Sequence, residues 1–129
     1  MIVDSSALIA IVAVEPDHEV YRRVLLDSPE TMKLAAPTLV EACLVADKRD
    51  LGRTLDAVLR GADLEIVPFD VEMALLARDA HRDFGRGSGH PAKLNLGDCF
   101  SYALATITGE PLLYKGDGFG HTDVRSVLA

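Results

Sequence analysis

Apolar positions along this chain alternate between short runs and longer stretches with a helical period. Ile2-Val3 is one such run, ending in Asp4, with Ser5 placed to cap the helix that follows. Ala7 to Val14 is apolar on all sides, which predicts a helix buried over most of its surface. Pro16 stops it, and Asp17 can cap a second helix whose stripe is Val20, Tyr21, Val24 and Leu25. Lys33 to Ala36 predicts a second strand, closed by Pro37. Thr38 then opens a helix with Leu39, Cys43 and Ala46 on one side, and Leu51, Leu55, Val58 and Leu59 mark another, ended by Gly61.

Glu65 to Phe69 predicts a buried strand. Asp70 begins a helix with Ala74, Ala77, His81 and Phe84 along one stripe. The Gly- and Pro-rich stretch Gly85 to Asn95 predicts a mobile loop. Leu96, Cys99, Phe100, Ala103, Leu104 and Ile107 trace the clearest helical face, which Gly109 ends. Pro111 to Tyr114 is a final β run, followed by a glycine-rich turn through Asp117 and a short possible strand near Val124. Strands alternating with helices predict an α/β fold with a mostly parallel sheet of four to five strands and helices on both faces. No linker or repeat interrupts the pattern, so residues 1–129 are expected to form a single domain.

Composition narrows the class. Tryptophan is absent and aromatics make up only 5%, so the core must rest on Ala, Leu, Val and Ile. The longest apolar run falls far short of the ~20 residues that span a bilayer. The first Lys or Arg is Arg22, so no secretory leader is expected. Cys43 and Cys99 lie in apolar helical patterns without metal spacing; both are expected to be buried free thiols in a reducing cytoplasm. A net charge of −7 argues against nonspecific clinging to nucleic acid, and any such contact must come from a local basic patch.

Four isolated acids, Asp4, Glu41, Asp98 and Asp117, fall where a strand ends or a helix begins. In an open parallel sheet these positions converge in the crevice beyond the strands' carboxyl ends. Each has a plainer explanation. Asp4 can be a helix cap, and Thr38 with Glu41 has the spacing of a capping box. Asn95 with Asp98 offers an analogous pair, and Asp117 sits in a turn where Asp is common. Their coincidence on one side of the sheet suggests a site for Mg²⁺ or Mn²⁺, which take oxygen ligands and need no His or Cys. Such ions support hydrolysis of phosphodiesters.

Other chemistries find less support. The four histidines lack zinc spacing, and there is no G-x-S-x-G elbow, P-loop or G-x-G-x-x-G fingerprint. Arg78, Arg82 and Arg86 recur every four residues and lead toward His90 and Lys93. They read either as a phosphate-contacting ridge or as a solvated face paired with Asp79 and Asp83. Arg82, Arg86, Lys93 and Lys115 are the RNA-contact candidates.

The segments "MIVDSSALIAI", "PTLVEACLV", "HPAKLNLGDCFSYALA" and "PLLYKGDGFGHTDV" together resemble the VapC-type PIN-domain ribonuclease toxins over essentially the whole chain. The resemblance implies a PIN-like three-layer α/β/α sandwich and an endoribonuclease using Mg²⁺ or Mn²⁺. It also implies an RNA substrate, a VapB-type antitoxin and a homodimer. Matched motif by motif, Asp4, Glu41 and Asp98 fall on the family's metal-coordinating acids, and Asp117 on a more variable fourth position. Many relatives carry two acids before the Phe of the last motif. Here Asp117, Gly118 and Phe119 stand there, so Asp123 is the alternative fourth carboxylate.

Two rival readings remain. A receiver-like phosphoacceptor switch shares the size and the acidic pocket, with Asp70 as the nearest phosphoacceptor and Lys115 as its lysine. Against it, the first strand ends in one acid rather than a pair. A PIN scaffold that binds RNA or a partner without cutting is the other.

Overall fold

A computed structural model describes residues 1–128 and contains four strands: β1 (Ile2–Val3), β2 (Met32–Ala35), β3 (Leu64–Val67) and β4 (Leu112–Leu113). All are parallel, in the order β3-β2-β1-β4, so β1 is central and pairs with the strand farthest from it in sequence. Side chains alternate across each strand. Val3 and Leu113 face a core built with α1 (Ser5–Val12), α2 (His18–Asp27), α3 (Ala36–Lys48) and α4 (Gly52–Gly61). Ile2 and Leu112 face the opposite core, built with α5 (Val71–Phe84) and α6 (Leu96–Thr108). The result is the expected three-layer α/β/α arrangement, with a short 3₁₀ turn at Phe119–His121.

Helix α1 is buried continuously from Ala7 to Val12, as its unbroken apolar run requires. It ends two residues earlier than expected, and Val14 turns out to solvent at a left-handed φ of 51°. Helix α6 stops at Gly109, whose φ of 69° is the left-handed conformation that glycine accepts without a Cβ penalty. No helix is long and apolar enough to cross a membrane among the described residues.

Several local expectations change. Strand β3 lies at the sheet edge with Glu65 and Ile66 exposed, so the predicted buried strand is in fact half-solvated. The buried stripe of α5 is Met73, Ala77 and Ala80, while Ala74 and His81 face solvent. The possible strand near Val124 is a single parallel bridge between Leu112 and Ser126. The Gly85–Asn95 segment is tied at its neck rather than loose. Leu94 N–H donates to Phe84 O at 2.9 Å, Arg86 N–H donates to Leu94 O at 3.0 Å, and Leu94 is fully buried. Both cysteines are free thiols, but Cys43 is only half-buried.

Candidate active site

Three acids reach the carboxyl edge of the central strand from three separate elements. Asp4 follows β1 directly and is 1% exposed. It, not Ser5, is the N-cap of α1: its Oδ2 accepts the Ser6 N–H at 3.1 Å and the Ser6 hydroxyl at 2.6 Å. Its Oδ1 accepts the Ser101 hydroxyl from α6 at 2.5 Å. The start of a helix also favours a carboxylate through the macrodipole. Ser6 accepts the Lys115 N–H at 3.0 Å, which ties the exit of β4 to the same corner.

Glu41 sits one turn into α3. The Thr38–Glu41 capping box does not form, because the helix starts earlier, at Ala36 with Pro37 in its first turn. Thr38 is therefore buried inside the helix, and Glu41 accepts the Ser5 hydroxyl at 2.6 Å instead. Ser5 thus serves Glu41 rather than capping α1. Burial pushes the Glu41 carboxyl up, the Ser5 hydrogen bond pulls it down, and the charge of Asp4 raises it.

Asp98 opens α6. Here the capping box is real: Asp98 N–H donates to Asn95 Oδ1 at 2.8 Å, and Asn95 N–H donates to Asp98 Oδ2 at 3.0 Å. Burial pushes the Asp98 carboxyl up to about 6, against the Asn95 hydrogen bond. The charges of Asp4 and Glu41 raise it further, and Arg86 opposes them. The α6 backbone also passes close to Glu41, so that a Cβ at Gly97 would overlap the Glu41 carboxylate. Asp4, Glu41 and Asp98 thus share one electrostatic neighbourhood.

The other sequence candidates separate. Asp117 is exposed on the glycine turn after β4, and it is not among the charges that act on Glu41. Asp123 points elsewhere, accepting the Tyr102 hydroxyl at 2.7 Å. Lys115 is clamped between Glu15 and Asp17, at 2.8 Å each, which raises its own pKa and lowers that of Asp17. Its ammonium is engaged with two carboxylates of the protein. Arg82 likewise binds Asp83 at 2.9 Å and Asp79 at 3.4 Å, which is the local pairing of the solvated-face reading. Arg86 and Lys93 line an open groove with Gly87, Gly89, His90 and Pro91. Asp70 caps α5 through the Met73 N–H at 2.9 Å, and it is not among the charges acting on Glu41 or Asp98, so the acid that the receiver-like reading needs stands apart from the cluster.

Sequence reading missed the hydroxyls. Ser5, Ser6 and Ser101 each hold a carboxylate, and only the adjacency of "DSS" signalled the first two. Among the described residues, no three His, Cys, Asp or Glu side chains already form a ligating set. Asp98 is turned back onto its own helix start, and Asp4 and Glu41 are held by hydroxyls. The donor set nonetheless suits a hard cation: three mutually repelling carboxylates, with no nitrogen or sulfur, and Arg86 from a basic groove acting on one of them.

A family model described as PIN domain matches residues 1–125. The chain is similar to Ribonuclease VapC42 of Mycobacterium tuberculosis, at 48% identity over 128 residues and 97% of both chains. Among solved structures it is similar to Mycobacterium tuberculosis VapC20, titled a sarcin–ricin loop cleaving toxin. That likeness has a TM-score of 0.79 at 15% identity and covers 98% of this chain and 97% of that one. It is also similar to VapBC2 from Rickettsia felis bound to a DNA fragment from their promoter. There the TM-score is 0.71 at 13% identity, covering 97% of this chain and 94% of that one. At such identities the structural likenesses speak to the fold.

Proposed function

Because the chain belongs to the PIN-domain family, we propose that it is a VapC-type toxin endoribonuclease that hydrolyses RNA with Mg²⁺ or Mn²⁺. The observation that carries this reading is the convergence of Asp4, Glu41 and Asp98, close enough for the first two to help push Asp98 to about 6. Like charges gathered this way favour a bound cation, which would favour the ionised forms of Glu41 and Asp98. Asp4 and Asp98 are the principal ligands in this reading, with Glu41 completing the shell or orienting a water. Asp117 is a candidate for outer support from its exposed turn.

A bound divalent ion supplies an activated water near neutral pH and steadies the departing oxygen. The chain's own residues do the rest. Ser5, Ser6 and Ser101 hold two of the acids in fixed orientations. Arg86 sets a positive charge beside Asp98, and with Lys93 it lines the groove that suits a phosphate backbone. An apolar groove of Pro37, Val40, Leu44, Val45 and Phe100 runs beside Glu41, and Val71 and Leu75 are exposed on α5. These two faces support protein partners, in this reading a VapB-type antitoxin and a second copy of the chain. A cytoplasmic location follows from such a role.

The test replaces Asp98 with Asn, which keeps the size of the side chain and an oxygen acceptor for the cap. Cleavage of RNA in Mg²⁺ is expected to fall by orders of magnitude with the fold intact. Parental cleavage by Asp98→Asn protein would refute the assignment. Parental protein that binds RNA in EDTA, yet does not cut it once Mn²⁺ is restored, would mark a binding scaffold.

A further inference from the structure

The Asp4 carboxylate accepts more hydrogen bonds than helix capping requires. A cap uses one backbone N–H, whereas Asp4 also takes two hydroxyls, one of them from Ser101 on α6. Ser101 is 1% exposed and Thr38 fully buried, so bulk water cannot readily replace either hydroxyl. Thr38 Oγ1 lies 3.5 Å from Ser101 Oγ. The single Ser101 proton is directed to Asp4, so in that contact Thr38 is the donor. A short hydroxyl chain therefore runs from α3 through α6 to Asp4.

A carboxylate offers about four lone-pair positions. Ser6 occupies two on Oδ2, and Ser101 one on Oδ1. One position on Oδ1 is left. We propose that Ser101, backed by Thr38, is a positioning residue that directs this remaining lone pair of Asp4 toward a divalent cation. The inference rests on the reading of Asp4 as a metal ligand. Ser101 itself does not touch the ion. It lies three residues after Asp98 on the same helix, so its bond also fixes the helix that carries Asp98 relative to β1. Loss of such an outer partner typically costs about 10–100-fold in metal affinity or activity.

The experiment titrates Mn²⁺ into the full chain by calorimetry without RNA, alongside thermal melting. Ser101→Ala is expected to bind Mn²⁺ about 10–100-fold more weakly, while keeping a cooperative melt that is lowered by the lost hydrogen bond. The Mn²⁺ needed for half-maximal cleavage should rise by the same factor, and the rate at saturating Mn²⁺ should return toward the parental value. A hydroxyl that served only packing would shift the melt and leave the metal titration unchanged. Parental Mn²⁺ affinity in folded Ser101→Ala therefore overturns the proposal. Should Ser101→Ala not fold, Thr38→Val decides: a smaller weakening supports the relay, and parental affinity overturns it. Parental protein that binds no Mn²⁺ would instead refute the metal reading beneath it, and this proposal with it.

Discussion

Helices α3 and α6 begin with the same spacing, Thr38 three residues before Glu41 and Asn95 three residues before Asp98. At α6 the backbone before the helix is extended, Asn95 stands at the cap, and both reciprocal bonds form. At α3 the helix has already started at Ala36, so Thr38 has no free helix end to cap. Its hydroxyl turns toward α6, and Glu41 is held by Ser5 from another element. A capping motif works only where the chain enters the helix, and sequence spacing alone does not fix that point. The consequence is a division of labour: Glu41 is relieved of backbone duty, whereas Asp98 must cap a helix and contribute charge to the site.

The strongest challenge to this contrast is Gly97→Ala. Alanine is the better helix former, yet its Cβ would overlap the Glu41 carboxylate, so the flexible Glu41 side chain would have to swing out of its place beside Ser5. We expect weak cleavage with little change in the urea midpoint. Parental cleavage would mean that the Glu41 carboxylate does not need its place against the start of α6.

Next in size is the pair Asn95→Ala and Glu41→Gln. The first removes a cap and should lower unfolding free energy by about 1 kcal/mol. The second removes no cap and lessens repulsion with Asp4, so no comparable loss is expected. Equal losses in urea melts would mean that Glu41 supports the helix after all.

The smallest effect is a pH slope in protein freed of metal by EDTA. Folded Asp98 titrates at about 6, against about 3.9 for an unperturbed Asp. Between those values the native state holds more protons than the unfolded chain, so stability falls as pH rises through this window. Partial exposure screens the effect and keeps it modest. Melting temperature should therefore drop from pH 4 to pH 6 in parental protein and drop less in Asp98→Asn. A rise over the same window would contradict the placement of Asp98 beside the other acids.

The sequence made the layer order readable because alternation of short apolar runs with 3.6-residue stripes reflects burial. Asp4 and Asp98 were recognisable as acids at a strand end and a helix start, positions set by local pattern. The hydroxyls were not, since Ser101 meets Asp4 across 97 residues and nothing local marks that contact. Lys115 looked available because its partners, Glu15 and Asp17, lie about a hundred residues away. The early start of α3 leaves only an ambiguous signal, because Pro37 suits the first turn of a helix as well as the end of a strand. Strand β3 looked buried because its apolar run does not reveal that it lies at the edge of the sheet.

The central strand β1 is flanked by β4, whose residues come more than a hundred positions later. Asp4 N–H donates to Leu113 O at 2.9 Å, so the floor beneath the first acid is laid by β4. Synthesis runs from the N-terminus, and a pairing this distant in sequence must wait for the late segment to appear. A ribosome-bound fragment that has not reached Leu112 lacks this floor. The first acid therefore acquires its full setting only after a segment more than a hundred residues away has docked beside it.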